Sequence, residues 1–337
     1  MTNPLSDLLD EKQILLADGA TGTTLFDMGL TSGDSPEFWN ADKPDNIRKM
    51  HQDFVDAGSD IILTNSFGGT RHRLKLHNAQ DRVHELNKLA AEIGREVADK
   101  APRKVIVAGS VGPTGELLIP LGALSYDGAV EAFVEQMEGL KDGGADVLWI
   151  ETMSSVDEIR AAAEAASKVG MPYIFTASFD TAGKTMMGLA PKDIHTVPEG
   201  IAEQPLAIGA NCGVGASDLL SSVLDITAAD ENAIVVAKAN CGIPVVKGEK
   251  VEYSGTPELM SDYACLAIDA GARIIGGCCG TSCDHLSAMR QAIDDHKRGA
   301  RPDIGTVVEK IGPMVNATSA ANDTKPKRER RGRRRAS

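Results

Sequence analysis

Eight short aliphatic runs recur before residue 300, each separated from the next by a longer stretch, and this rhythm limits the fold more than any other feature. The runs are almost continuously apolar. That character is typical of strands buried on both faces, as parallel strands are. They cover residues 14–17, 60–64, 104–108, 146–150, 172–177, 206–210, 233–237 and 273–276.

Amphipathic stretches of helical character lie between the runs, and several of them end in glycine just before the next run. Strand and helix alternating eight times predict an α/β protein with a (β/α)8 TIM barrel. A doubly wound open sheet is the alternative. We predict the barrel over residues 1–297, a C-terminal arm or linker over 298–324 and a disordered basic tail over 325–337. The helical stretches cover residues 44–57, 82–100, 126–143, 155–169, 217–226 and 256–270.

Charge is unevenly distributed along the chain. The net charge of −13 is the balance of +7 in residues 325–337 and −20 in the remainder. An acidic body repels nucleic acid and anionic membrane, so a nucleic-acid-binding module would depend on the tail alone, whose simpler interpretation is a solvated extension. Without a basic, apolar leader or a run of about 20 apolar residues, a cytoplasmic protein with no membrane segment is expected.

Polar and glycine-rich clusters follow the ends of the apolar runs, for example at residues 18–23, 65–69, 109–116, 211–213 and 276–280. In a parallel barrel the carboxyl ends of all strands open at one mouth. Barrel enzymes place their chemistry at that mouth. The positions of these clusters therefore predict an active site without any knowledge of relatives.

Three cysteines follow two of the predicted strands: Cys212 after the sixth, and Cys278 and Cys279 after the eighth. If the barrel brings them together, three thiolates can hold one tetrahedral zinc ion and leave its fourth position open. A thiol bound there would lose its proton and could attack an alkyl carbon. Inert packing of small core cysteines is the alternative.

The other three cysteines are weaker ligand candidates. Cys241 follows the seventh strand, Cys265 lies in a helical pattern, and Cys283 would close a four-cysteine site with no room for substrate. In a reducing compartment six cysteines indicate metal binding or catalysis more than disulfides. A thiol-redox or zinc-storage protein is an alternative of a different class.

Several motifs together resemble the homocysteine S-methyltransferase family: DGATGT at 18–23, ILTNSFGGTR at 62–71, GPTGE at 112–116, GANCG at 209–213 and GGCCGT at 276–281. The resemblance extends from about residue 12 to 295. It implies a (β/α)8 barrel with one zinc ion per chain, held by Cys212, Cys278 and Cys279, and homocysteine as the fourth ligand.

The resemblance also implies a pocket for the amino-acid end of homocysteine. Asp18 and the backbone at the next three residues would bind that end, and Glu151 would take the ammonium. A turn cap for Asp18 and an ordinary loop charge for Glu151 are the structural alternatives. The substrate-binding residues expected on this basis are Asp18, Gly19, Ala20, Thr21, Trp39, Asn65, Glu151 and Asn211.

Members of the family share the acceptor and differ in the methyl donor, which is betaine, S-methylmethionine or a methylated corrinoid. A betaine-type pocket surrounds the ammonium with aromatic rings; Trp39 is available here, but Gly68 stands where that pattern has a tyrosine. Residues 59–78, GPTGELLIPLG and NCGIPVV are most similar to the homocysteine-binding module of cobalamin-dependent methionine synthase.

The resemblance therefore implies the homocysteine-activating subunit of a split methionine synthase. Methylcobalamin would be carried by a separate corrinoid protein, because the chain ends after one barrel. Betaine-homocysteine S-methyltransferase is the alternative. A homo-oligomer is compatible with the sequence.

Overall fold

A computed structural model describes residues 3–247 and 250–316 of the chain. Eight parallel strands form one sheet, and a two-stranded antiparallel hairpin is inserted after the seventh of them. The strands of the parallel sheet are β1 (Leu15–Leu16), β2 (Ile61–Leu63), β3 (Ile106–Val111), β4 (Val147–Met153), β5 (Tyr173–Ala177), β6 (Ile208–Cys212), β7 (Val235–Ala239) and β10 (Ala272–Gly277); the hairpin consists of β8 (Pro244–Lys247) and β9 (Lys250–Tyr253).

The sheet closes on itself. Its strand order is β1-β10-β7-β6-β5-β4-β3-β2, and a parallel bridge between Ala17 and Ile61 joins the two ends. This seam between β1 and β2 is thin, because β1 has only two residues. The predicted (β/α)8 barrel is confirmed, and the open doubly wound sheet is excluded.

Helices connect the strands on the outside of the barrel. In the described residues the connection from β5 to β6 contains a 3-10 helix, Pro191–Thr196, and no α-helix. Further 3-10 helices are Pro36–Phe38, Lys75–His77 and Gln80–Arg82. The α-helices are α1 (Pro4–Lys12), α2 (Thr21–Asp27), α3 (Trp39–Asp42), α4 (Pro44–Asp56), α5 (Arg71–Leu74), α6 (Val83–Lys100), α7 (Tyr126–Asp142), α8 (Val156–Val169), α9 (Ala216–Ala229), α10 (Pro257–Ala270), α11 (Cys283–Asp295) and α12 (Ile304–Ile311).

Helix α1 closes the amino end of the barrel. Asn3 caps it by accepting hydrogen bonds from the N–H groups of Leu5 and Ser6, and Pro4 occupies its first turn. Leu5, Leu8 and Leu9 are fully buried against side chains from the barrel interior, including Trp149. The amino end of the barrel is therefore filled by apolar side chains. None of the helices in the described residues is long and apolar enough to cross a membrane.

The segment after the barrel packs on its surface. Helix α12 begins at an Asp303 cap and buries Val307 and Ile311, although the sequence predicted an arm or linker from residue 298 onward. The Asp218 carboxylate then accepts hydrogen bonds from the N–H groups of Val315 and Asn316, at 2.8 and 2.9 Å. The domain boundaries stay a prediction, and the predicted basic tail, 325–337, lies outside the described residues.

His51 on α4 predicts a pH-dependent loss of stability. It is fully buried, and neither ring nitrogen has a hydrogen-bond partner in the part of the chain that the structure describes. Burial lowers its pKa from 6.5 to about 4. Below pH 6.5 His51 therefore binds a proton in the unfolded chain but stays neutral in the folded protein. The free energy of unfolding consequently falls as the pH decreases toward 4.

At pH 4.5 we expect the free energy of unfolding to lose about 2–3 kcal/mol through His51, at 1.36 kcal/mol for each pKa unit. His51→Leu should remove this loss. Denaturant unfolding at pH 7 and 4.5 measures it, with His195→Asn as a control at an exposed position. Equal losses in wild type and His51→Leu would contradict the expectation.

Candidate metal centre and active site

The barrel brings three cysteines from two distant parts of the chain together. Cys212 is the last residue of β6, and Cys278 and Cys279 directly follow β10. Their three Sγ atoms all lie within 4.8 Å of one another, and each residue is half-buried. In the described residues no other group of three His, Cys, Asp or Glu side chains is close enough to hold a metal ion.

The donor set fits zinc. Tetrahedral zinc thiolates with Zn–S of about 2.3 Å place their sulfurs about 3.8 Å apart, within the observed limit. Soft sulfur ligands select zinc over magnesium or calcium. Three cysteines leave one coordination position for another ligand.

The three sulfurs shift one another's pKa values. Hydrogen bonds from Cys212 and Cys278 hold the pKa of Cys279 well below its ordinary value, whereas the hydrogen bonds to its two neighbours raise the pKa of Cys212. One thiolate is thus stabilised at the expense of another. A bound divalent cation would allow all three to ionise.

Strained backbone presents these ligands. Cys212 has φ of 62°, in the left-handed region that non-glycine residues rarely adopt. On the other strand, a Cβ at Gly277 would lie 2.2 Å from the side chain of Thr281. Glycine is therefore required just before the cysteine pair, which explains part of the GGCCG pattern.

Asn240, which follows β7, fixes the two ligand segments to each other. The N–H of Cys279 donates to its Oδ1 at 3.0 Å, and its Nδ2 donates to the carbonyl of Gly213, next to Cys212, at 2.6 Å. Tyr253, at the end of the hairpin, also contributes to lowering the pKa of Cys279. Neither side chain was predicted from the sequence to have a role.

An open cavity of about 370 Å³ lies above the cysteines at the carboxyl end of the barrel. Eight of the predicted site residues line it: Gly19, Ala20, Thr21, Asn65, Glu151, Cys212, Cys278 and Cys279. The N–H of Ala20 already donates to the carbonyl of Thr281, so it is not free for a ligand. Ser110, Thr152 and Lys238 also line the cavity and were not predicted.

Glu151 is the buried carboxylate on the cavity wall. It is 8% exposed, and its Oε1 accepts a hydrogen bond of 2.5 Å from the Ser110 hydroxyl. Burial raises its pKa to about 7, although the nearby Lys238 ammonium opposes the rise. A cationic partner would stabilise the ionised form of this carboxylate and lower its pKa.

Three predicted site residues do not line the cavity. Asp18 lies behind the wall, where its Oδ2 accepts a hydrogen bond of 2.7 Å from the N–H of Leu63. Asn211 is buried and accepts from the N–H of Thr152 at 2.8 Å, so it orients the wall without forming it. Trp39 is 6% exposed, and the Lys43 ammonium covers its ring at 4.3 Å. Direct substrate contacts by these side chains stay predictions.

The outer wall of the cavity carries charged groups. The buried Glu37 accepts hydrogen bonds from the N–H of Gly68 at 2.6 Å and from Ser35 at 2.5 Å. A Cβ at Gly68 would lie 2.9 Å from a Glu37 oxygen, so a tyrosine would not fit there without rearrangement. Arg73 and Phe67 complete this side.

The family model for homocysteine S-methyltransferase matches residues 15–293, which include the whole barrel. The chain belongs to the homocysteine S-methyltransferase family. It is therefore a methyltransferase, and the cysteine cluster and its cavity occupy the matched region.

Relatives of this methyltransferase include longer proteins. It is 31% identical over 314 residues to a methionine synthase of Mycobacterium tuberculosis, with 88% of this chain and 26% of that protein covered. A methionine synthase of Mycobacterium leprae is 30% identical, with 90% and 26% covered. The chain thus spans about a quarter of the length of these curated relatives.

Solved structures of the homocysteine methyltransferase MmuM from Escherichia coli are similar over the full barrel. The metallated form has a TM-score of 0.72 and 27% identity, and covers 86% of this chain and 99% of that one. The oxidized form has a TM-score of 0.70 and 28% identity, with the same coverage. This methyltransferase shares their fold, and the match spans nearly all of each MmuM chain.

Proposed function

We propose that this methyltransferase methylates the sulfur of homocysteine to give methionine and holds one zinc ion with Cys212, Cys278 and Cys279. The observation that carries the proposal is the convergence of three cysteine sulfurs within 4.8 Å at an open cavity whose wall holds a buried carboxylate. Membership of the homocysteine S-methyltransferase family supports the same reaction.

The chemistry requires a thiol to become a nucleophile near neutral pH. When bound, zinc supplies a Lewis acid that stabilises the substrate thiolate. The three cysteines would leave one coordination position for that sulfur, and the turn at Cys212 would hold its thiolate at the cavity. A thiolate held in this way attacks a methyl carbon in line with the bond that breaks.

Glu151 and the Gly19–Thr21 backbone would bind the amino-acid end. A homocysteine with its sulfur at the cysteine cluster would direct its ammonium into the same cavity, whose wall holds the buried Glu151 carboxyl group. Ser110 would keep the carboxylate in place by donating to it. The ammonium in turn would keep Glu151 ionised against the cost of burial.

We infer that the methyl donor is a corrinoid carried by a separate protein, as in a split methionine synthase. The curated methionine synthases match along the barrel, and this chain spans about a quarter of their length. A corrinoid protein would present methylcobalamin to the mouth of this barrel, where the cysteine cluster and its cavity lie.

A betaine-type donor has less support from the cavity. Among the described residues Phe67 is the single Phe, Tyr or Trp ring on its wall, because Trp39 lies outside it under the Lys43 ammonium. Glu37 takes the space next to Gly68. A quaternary ammonium would find no cage of rings there.

Donor competition tests this proposal directly. Purified protein is incubated with homocysteine and either methylcobalamin, betaine or S-methylmethionine, and methionine is measured together with zinc by elemental analysis. We expect one zinc ion per chain and methionine formation with methylcobalamin at least about tenfold faster than with the other donors, a barrier difference of about 1.4 kcal/mol. Efficient turnover of betaine would overturn the assignment of the donor, and a protein without zinc would overturn the mechanism.

A further inference from the structure

Lys238 is a buried cation beside the cavity with no place in the proposed chemistry. It is 3% exposed and lies one residue before the end of β7. Its Nζ donates to the carbonyl of Gly277 at 2.6 Å and to the carbonyl of Gly19 at 3.2 Å, and it lies 3.4 Å from the Asp18 carboxylate. The ammonium therefore donates hydrogen bonds to two carbonyls, and the Asp18 carboxylate balances its charge as an ion pair.

These contacts lie around the seam between β1 and β2, where a single bridge closes the barrel. Lys238 belongs to β7, Gly277 ends β10, and Gly19 follows β1. The Asp18 carboxylate continues the connection by accepting from the N–H of Leu63 on β2. The ammonium and its counterion thus join four adjacent strands, including the thin seam between β1 and β2.

Both carbonyls that Lys238 holds are next to groups of the active site. Gly277 precedes Cys278, one of the three clustered cysteines, and Gly19 precedes Ala20 and Thr21 on the cavity wall. A bound homocysteine would reach from one segment to the other, with its sulfur at the cysteines and its amino-acid end at the Gly19–Thr21 backbone. Their separation therefore decides whether the sulfur and the amino-acid end of one substrate can be bound together.

Lys238 cannot serve as a base or nucleophile in this setting. Burial opposes its charge, but the Asp18 carboxylate and the further anionic groups Cys278 and Glu151 outweigh this and raise its pKa. The two carbonyl acceptors and the Asp18 carboxylate at 3.4 Å all favour the protonated form. It acts as a permanent cation with fixed geometry.

We propose that Lys238 is a positioning residue for homocysteine, which sets the distance between the Gly19–Thr21 segment and the Cys278–Cys279 turn. The inference rests on the proposed function, because it takes homocysteine as the substrate that spans the two segments. Misplacement by about 1 Å at a distance from the reacting atoms can cost about a hundredfold in rate.

A charge-balanced variant tests the role without leaving a buried, unpaired carboxylate. Lys238→Met alone would leave the buried Asp18 carboxylate without its charge partner, and such a variant risks misfolding. In Asp18→Asn/Lys238→Met both members are neutral, and the asparagine oxygen can still accept from the N–H of Leu63. Lys12→Met is the matched control: Lys12 also pairs with a fully buried carboxylate, Asp60 at 2.6 Å, but lies on α1 at the opposite end of the barrel.

The measurements are thermal unfolding, zinc per chain, the dissociation constant for homocysteine and the split between KM and kcat. For the double variant we expect a folded protein with about one zinc ion, a KM for homocysteine raised at least about tenfold and kcat within about threefold. Lys12→Met should bind homocysteine as the wild type does.

Three outcomes would overturn the role of Lys238: an unchanged KM in the folded double variant, an equal rise of KM in Lys12→Met, or loss of zinc as the cause of the defect. The last outcome would mean that the ammonium supports the metal turn only. Failure of the wild type itself to bind zinc and homocysteine is a separate result, which would refute the proposed function and not the positioning role alone.

Discussion

Replacing Cys212 with alanine is expected to lower zinc well below one ion per chain and homocysteine methylation by at least about 10³-fold. The loss should exceed the 10–100-fold typical of residues that only orient a metal ligand. Two sulfurs remain in Cys212→Ala, and neither Cys278 nor Cys279 can move into the vacated position from the other strand. The substrate thiol then has no fixed site and keeps its proton.

Elemental analysis and methionine formation on the same preparation measure both losses. Cys265→Ala is the matched control, because Cys265 is also a half-buried free cysteine but lies on α10 outside the cluster. It should retain zinc and activity. Full zinc content and full activity in Cys212→Ala would refute the three-cysteine site.

Glu151→Gln is expected to raise the dissociation constant of homocysteine by about 10²-fold. Truncating or neutralising one member of a buried, hydrogen-bonded charge pair costs about 2–5 kcal/mol, and about 2.7 kcal/mol corresponds to a hundredfold. Glutamine keeps the shape and the neighbour Ser110 but cannot balance the substrate ammonium. Calorimetric titration of the zinc-loaded protein measures the change.

The same substitution should alter the pH dependence of binding. Burial raises the pKa of Glu151 to about 7, so below pH 7 the free protein carries a protonated carboxyl that must lose its proton to receive the ammonium. Wild-type affinity is therefore expected to fall with decreasing pH by up to tenfold per unit more than that of Glu151→Gln. Ionisation of the substrate thiol affects both proteins alike and cancels in the comparison.

Glu158→Gln provides the control for the carboxylate. Glu158 is also buried, with a pKa raised by burial, but it accepts from Thr114 and does not line the cavity. Its substitution should leave homocysteine affinity and its pH slope unchanged. Identical slopes for wild type and Glu151→Gln would remove Glu151 from the substrate site.

The barrel was predictable from the sequence because each of its strands is marked by a local pattern of apolar residues. A parallel strand buried on both faces needs an unbroken apolar run, and each of the eight runs marks a strand to within about three residues. The meeting of Cys212 with Cys278 and Cys279 then followed from topology, since all the strands of such a barrel end at one mouth. Neither step required knowledge of a side-chain contact.

Contacts that depend on the closed barrel were not predictable. Lys238 directly follows the predicted run at 233–237, and a lysine at a strand end is usually solvated; here its acceptors come from residues more than 200 positions earlier and about 40 later. Trp39 looked like an available ring, but its burial and its Lys43 neighbour depend on how α3 and α4 pack. Asp18 matched the family motif, yet the sequence could not show that its carboxylate faces Leu63 and Lys238.

The anchoring of Val315 and Asn316 by Asp218 has a practical consequence for anyone handling this protein. Asp218 lies six residues beyond Cys212, and Asn316 also donates to the carbonyl of Asp180 beyond β5, so Asn316 lies on the carboxyl side of the barrel, the side on which the cavity opens. A purification tag, fluorophore or surface linker joined directly at that residue would start on the same side as the cavity. Attachment ahead of α1, across the molecule, would leave the entrance clear for kinetic work.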